Sequence, residues 1–369
     1  MRVMNKAYKF RIYPNAGQQI LFAKTFGCVR FIYNRMLADK IEYYNQTGKK
    51  LNNTPAQYKK EFEWLKEVDS LALANAQINL QTAYNNFFRD KKTGFPRFKS
   101  KKHNRQSYTT NHVNGNISLK DGYLKLPKIG QVKIKQHRQI PNNYILKAVT
   151  ISKTPTGKYF ASILFEYQDQ IQEIKPVNIV GLDFSMKELF VSSDGEFANH
   201  PKYYHKAVER LAKEQRKLSK CQKGSKNREK QRIKLAKLYE KVANQRKDFL
   251  HKLSRQITNA YDAVCIEDLS MKGMSQALNF GKSIADNSFG MFTSFLDYKL
   301  REQGKQLVKI DKWFPSSKTC SKCGKKKENL SLSERVFQCE CGNMLDRDIN
   351  AAINIKNEGM GLLLAQPNP

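Results

Sequence analysis

No apolar run in this 369-residue chain approaches the ~20 residues that a membrane-crossing helix needs. Its opening, MRVMNKAYKF, has basic residues with no apolar stretch behind them, so no secretory leader is legible and the protein is expected to stay where it is made. Cysteine is scarce outside one segment. Of seven, four lie within the 22 residues from Cys320 to Cys341, while Cys28, Cys221 and Cys265 are scattered. An odd count clustered in this way argues against a disulfide framework and for a metal site in a reducing compartment. Acids are few: 33 Asp and Glu face 66 Lys and Arg, a formal charge of +33. So large an excess costs self-repulsion unless a polyanion offsets it, and it points to a nucleic acid partner rather than an anionic membrane. With 40% hydrophobic residues, the chain can still bury ordinary cores in two to four domains.

The opening KAYKFRIYP alternates with period two and stops at Pro14, as a short strand would. From Asn15 to about Phe88, apolar residues recur at three-and-four spacing and predict helices. RDKKTGFPRFKSKKHNR, residues 89–105, is a basic linker holding Phe95 and Phe98. Those rings either anchor it to a neighbouring core or offer faces for stacking beside a phosphate backbone. Residues 117–168 are β-rich, with an Asp-Gly turn in ISLKDGYLKLP and a Thr-Pro-Thr-Gly turn in AVTISKTPTGKYF. The opening strand needs sheet partners and is expected to join these strands. The β-rich domain is then split, at 1–14 and 104–172, around a helical insertion at 15–103.

A new unit begins near residue 173. VNIVGLDFSMKELFVSSDGEF predicts a buried strand and a hairpin, and AVCIEDLS a second buried strand. Between them lie two long basic helices whose Leu211, Leu218, Leu235, Leu238, Val242, Leu250 and Leu253 are expected to face inward in an antiparallel pair. FGMFTSFLDYKLREQG predicts a helix and QLVKIDKWFP a strand, whereas the tail GMGLLLAQPNP shows no periodicity that would order it.

Cys320-Ser-Lys-Cys323-Gly and Cys339-Glu-Cys341-Gly each put two thiols on a tight turn, fifteen residues apart. Zinc prefers four tetrahedral thiolates in closed structural sites, which this pattern offers, and the last histidine, His251, lies well before the first of them. The second pair is one residue shorter than the commoner knuckle. Three acids sit where elements end or begin: Asp183 closes VNIVGLD, Glu267 closes AVCIE, and Asp348 stands where helical spacing starts in DRDINAAINI. Carboxylates gathered from separate elements are what two Mg²⁺ ions need to flank a scissile phosphate. Singly, each has a plainer reading: a turn opener, a surface strand end, a first-turn acid favoured by the helix dipole. Of the neighbouring acids, Asp268 should point to the opposite face, and Asp346 sits where an N-cap belongs.

GLDFSMKE, CIEDLS and the run from CSKCG through CECGNMLDRDINAAINI resemble the RuvC-type nuclease core and zinc ribbon of the TnpB family, the compact RNA-guided nucleases of insertion sequences, related to type V CRISPR effectors. YKFRIYPN, GFPRFKSKK and LKLPKIG are similar to that family too. The resemblance implies a multidomain α/β protein with an RNase H-like (RuvC) domain at 173–312 and 343–369 and a zinc ribbon inserted at 313–342. It also implies a β-barrel-like, wedge-like domain split by the helical recognition insertion. Asp183, Glu267 and Asp348 would be the catalytic, Mg²⁺-holding triad, and Cys320, Cys323, Cys339 and Cys341 the ligands of a structural Zn²⁺. The implied partners are a guide RNA from the transposon end and a double-stranded DNA target beside a short motif, with one protein per guide, in a prokaryotic cytoplasm at the nucleoid. Thr110, Asn111, Lys99 and Lys101 are candidates for nucleic-acid contact. Two other functions compete: a nuclease-inactive, RNA-guided repressor, which would be expected to lack an acid, and an RNase H-like transposase, whose acid series usually ends in Glu.

Overall fold

The computed structural model describes residues 2–90, 92–102, 105–169, 171–269, 287–331 and 333–365. They fall into two compact units, Met1–Gln170 and Ile171–Pro369. The last residue of AVCIEDLS, the segment from there to 286, and the final residues of the tail lie outside the described residues.

In the first unit, β1 (Arg2–Tyr13) alternates so that Phe10 and Ile12 are fully buried. The helical block follows: α1 (Ala16–Thr47), α2 (Pro55–Glu61), a 3₁₀ turn (Glu63–Glu67) and α3 (Ser70–Arg89). Asn15 starts α1 with a capping box, its side chain accepting from the Gln18 N–H at 2.8 Å while Gln18 accepts from the Asn15 N–H. The chain then forms β2 (Gln106–Asn111), β3 (Ser118–Lys120), β4 (Tyr123–Leu126), β5 (Gly130–Lys135), β6 (Ile145–Lys153) and β7 (Tyr159–Asp169). These make one seven-stranded antiparallel sheet in the order β2-β6-β7-β1-β5-β4-β3, with β1 paired to β7 from Arg2↔Asp169 to Ile12↔Tyr159. The opening strand thus closes on strands more than a hundred residues later. The Asp-Gly turn between β3 and β4 has positive φ at both Asp121 and Gly122, the type I′ geometry whose twist suits a two-residue hairpin. Helices and sheet share a core in which Phe22 packs on Tyr159 and Tyr108, at 5.6 and 6.3 Å between ring centroids. The outermost strands β2 and β3 share no ladder, so the expected barrel-like form is not closed by hydrogen bonds among the described residues.

The second unit is built on a four-stranded sheet ordered β11-β10-β8-β9, from β8 (Ile179–Ser185), β9 (Leu189–Ser192), β10 (Ala263–Glu267) and β11 (Gln306–Ile310). β8, β10 and β11 run parallel, and β9 returns antiparallel to β8. α4 (Tyr203–Lys220) and α5 (Lys226–Ala260) form the expected pair. Leu211, Leu235, Val242 and Leu250 are buried, while Leu218, Leu238 and Leu253 are half-buried. Period-two alternation divides the parallel strands between two faces. Val180, Leu182, Val264 and Ile266 pack with α5 and with α6 (Phe289–Arg301). Gly181 and Cys265 meet α7 (Arg347–Leu364) on the other face. Ordering by α7 of residues as far as Leu364 corrects the reading of GMGLLLA as unordered. Its glycines interrupt the apolar period, but Gly359 lets the helix lie directly on Cys265.

A Cβ added to Gly181 would stand 2.1 Å from the Ala352 carbonyl oxygen and 2.6 Å from the Lys356 nitrogen. Gly181→Ala is therefore expected to destabilise the fold by about 1–3 kcal/mol. Gly361→Ala, in the same helix with nothing within 4 Å of the added methyl, should be neutral or stabilising by up to about 1 kcal/mol. Thermal unfolding of the two variants checks this, and equal midpoints would refute the close seating of α7.

Candidate active site

Alternation also decides where the acids go. Asp183 lies two residues beyond Gly181, and Glu267 two beyond Cys265, so both carboxylates share the α7 face at the carboxyl ends of β8 and β10. The last paired residues, Ile266 and Leu182, put Glu267 and Asp183 at the same level of adjacent parallel strands, which lie about 4.8 Å apart. α7 brings the third acid in its first turn. Asp346 caps it, accepting from the N–H groups of Asp348 and Ile349 at 2.8 and 3.2 Å, so Asp346 has the capping role its position suggested. Asp268 leaves the cluster and pairs at 2.9 Å with Lys309.

Asp183, Glu267 and Asp348 line one cavity of about 650 Å³, together with Ser316, Lys318, Lys326, Arg335 and Arg347 among others. Burial, then the charges of Glu267 and Asp348, push Asp183 well above the usual carboxylate range. Burial also raises Glu267, opposed by a hydrogen bond that the Ser316 hydroxyl donates to it at 2.6 Å. Arg347 reaches Asp348 at 3.4 Å. Three carboxylates at the mouth of a sheet, with their negative charge only partly compensated, form a hard oxygen donor set suited to a divalent cation.

The cysteines form the second constellation. β12 (Val336–Gln338) and β13 (Met344–Asp346) make a hairpin whose turn carries Cys339 and Cys341 and whose last residue is the cap of α7. Gly324 and Gly342, one after each cysteine pair, take positive φ and let the knuckles close. The four Sγ atoms lie within 4.8 Å of one another, with Cys320–Cys341 and Cys323–Cys339 both at 3.6 Å. Zn–S bonds of about 2.3 Å at tetrahedral angles require sulfurs about 3.8 Å apart, so the short second knuckle still fits a four-thiolate site. Among the described residues, this is the one group of His, Cys, Asp or Glu drawn close enough to close around an ion; the carboxylates line a wider space.

Two asparagines that sequence reasoning passed over link the constellations. Asn350, fully buried on α7, donates to the Thr319 carbonyl at 2.8 Å and accepts from the Ser321 N–H at 3.0 Å. Asn354, one turn on, donates to the carbonyls of Ser316 and Thr319 at 2.8 and 2.6 Å. The sequence signal was two amides four residues apart on the apolar face of a helix, and Ser316 had none.

The family model described as "Probable transposase" matches residues 162–278, and "Cas12f1-like, TNB domain" matches 289–355. A third, described as "Helix-turn-helix domain", matches 1–49, which here hold one strand and a single 32-residue helix. A Streptomyces pristinaespiralis protein named "Putative RNA-guided DNA endonuclease" is 35% identical over 98% of this chain and 90% of its own length. The chain belongs to the TnpB family. InsQ of Escherichia coli (strain K12), described in the same words, is 29% identical over 97% of this chain and 93% of its own. This TnpB chain also shares its fold with the protein of the Cas12f1-sgRNA-target DNA complex, at a TM-score of 0.61 and 14% identity, covering 96% of this chain and 99% of that one.

The candidate nucleic-acid contacts of this TnpB chain fare unevenly. Thr110 is fully buried with its hydroxyl on Asp69, which removes it from a surface role in this structure; a strand residue on the inner face of β2 has core neighbours, whatever its polarity. Asn111, half-buried, accepts from Asn75 at 3.5 Å. Lys99 is half-buried with its ammonium 3.8 Å over the Tyr33 ring, burial lowering its pKa, and Lys101 is exposed. Both linker aromatics are exposed, but Phe95 also packs edge-on against Phe87 and Tyr84.

Cys323→Ser should lower zinc content and thermal midpoint together; unchanged zinc stoichiometry by elemental analysis would show the ribbon is misread. Asp183 keeps its proton to higher pH folded than unfolded, so its contribution is lost as pH rises from the ordinary carboxylate range through its raised folded value. Metal-free protein should therefore lose stability over that rise, and Asp183→Asn should flatten the slope. Thermal unfolding across pH measures it, an unaltered slope counting against a raised folded pKa at Asp183.

Proposed function

We propose that this chain is an RNA-guided DNA endonuclease whose RuvC-like, RNase H-type domain hydrolyses phosphodiester bonds at Asp183, Glu267 and Asp348. One observation carries the reading: β8, β10 and α7 deliver these carboxylates to a single cavity, where burial and then the charges of Glu267 and Asp348 push Asp183 well above the usual carboxylate range. Mg²⁺ ions held by the three would supply Lewis-acid stabilisation of the attacking and leaving oxygens. The chain's own residues do the remaining work. Ser316 orients Glu267, Arg347 orients Asp348, and Lys318, Lys326 and Arg335 draw a phosphate backbone into the cavity. A structural Zn²⁺ on the four cysteines would brace the hairpin that leads into Asp346 and Asp348.

The formal +33 suits a chain that grips a structured guide RNA and a DNA target together, since each phosphate contact releases counterions. Names of the relatives support RNA guidance, and the presence of all three acids favours cutting over binding alone. We take the guide to come from the transposon end, one per protein, with base pairing selecting the target beside a short motif. The seven-stranded unit with its helical insertion would hold the guide and read that motif.

Purified protein with its co-purified RNA, Mg²⁺ and a plasmid bearing the matching target tests this. Guided cleavage is expected, whereas guided binding without cutting, or strand transfer, would refute it. Asp183→Ala, Glu267→Ala and Asp348→Ala should each lower cutting by at least ~100-fold with RNA and target binding nearly intact. Any one of them that cuts at the wild-type rate leaves the triad.

A further inference from the structure

Trp313 lies outside every role assigned above, and its setting is unusual. β11 ends at Ile310, the residue in register with Glu267 on the neighbouring strand. The chain then turns through Asp311, whose carboxylate accepts the Trp313 N–H at 2.7 Å and whose carbonyl accepts the Phe314 N–H at 3.1 Å. Two consecutive rings leave this fixed turn in different directions. Phe314 packs against the cluster of Cys265, Val308, Ile310 and Ile355. Trp313 is 80% exposed. Among the described residues no other ring lies against it, and the Lys312 ammonium sits 5.0 Å from its centroid. The second tryptophan, Trp64, is 42% exposed and packs edge-on against Phe31, at 4.9 Å between centroids.

An indole held outward on a pinned turn is a surface awaiting a flat partner, and its position says which. Phe314, Pro315 and Ser316, the next three residues, line the cavity of the three acids, and Ser316 bonds directly to Glu267. Lys318, Lys326, Arg335 and Arg347 line the same cavity and suit a phosphate backbone. We propose that Trp313 is a stacking platform for an unpaired nucleotide of the DNA strand that enters this cavity, Lys312 adding a cation beside the base. An unpaired base offers a free face that a base inside a duplex does not, and aromatic stacking accepts any of the four. The inference rests on the proposed nuclease reading for its strand, but its test does not need cutting.

In full-length Trp64→Phe protein carrying its co-purified RNA, Trp313 is the sole tryptophan. A single-stranded oligothymidylate should quench its emission to saturation, and a duplex of equal length should not. At salt high enough to weaken phosphate contacts, Trp313→Ala should bind the oligonucleotide about tenfold more weakly, with Trp313→Phe restoring most of the loss. Trp64→Tyr provides the same isolation if the phenylalanine variant folds poorly. Absent quenching, equal quenching by duplex, or wild-type affinity in Trp313→Ala overturns the proposal. Repeating the titration on Asp183→Ala separates the two ideas. Quenching there without guided cleavage by the wild type sinks the nuclease reading alone, and guided cleavage without quenching sinks the platform alone.

Discussion

Everything at the candidate site depends on α7 lying on bare sheet. Gly181 on β8 and Gly359 on the helix remove the side chains that would hold the two layers apart, so strand backbone meets helix backbone at Gly181 and the Cys265 side chain meets the helix at Gly359. A helix seated so closely has little room to slide, since any shift drives the Ala352 carbonyl or the Cys265 thiol into a neighbour. That seat places Asp348 beside two strand ends it could not reach by sequence proximity.

Asn350 and Asn354 extend the constraint outward. Buried amides are costly unless paired, so their bonds to the backbone of Ser316, Thr319 and Ser321 specify one position of that loop against the helix. The loop leads into the first cysteine knuckle, and the second knuckle's hairpin ends at the α7 cap. The four thiolates and the three carboxylates are therefore joined through one helix, from both sides. Against this rigidity stands an unfavourable electrostatic arrangement. Burial, and then the like charges of Glu267 and Asp348, oppose ionisation of Asp183, and Arg347 relieves this only in part. Such a cavity gains most from a cation or a phosphate-bound cation.

Much of this was legible from residues alone, wherever a local rule acts alone. A period-two run marked β1 and short apolar runs marked β8 and β10; Asp121-Gly122 marked a hairpin; the leucine spacing of α4 and α5 marked a helical pair; paired cysteines on glycine turns marked a metal site. Legibility failed where long-range packing outweighs local preference. GMGLLLA reads as loose because its glycines break the period, yet one of them is what lets the helix approach the sheet. Thr110 reads as a candidate nucleic-acid contact because it follows the basic linker, yet its face of β2 is the core and Asp69 supplies its partner. Ser316 has no sequence signature at all, because its role comes from a contact with Glu267, 49 positions earlier.

The sequence by itself determined the elements, the charge, the thiolate set and the identities of the three acids, since propensity, spacing and ionisation are properties of short segments. Only the tertiary structure decided that the acids face one cavity, that asparagines bind ribbon to helix, and that Trp313 points away from the core. Those facts follow from which face of each strand is buried and how closely layers approach, and both are set by partners hundreds of atoms away along the chain.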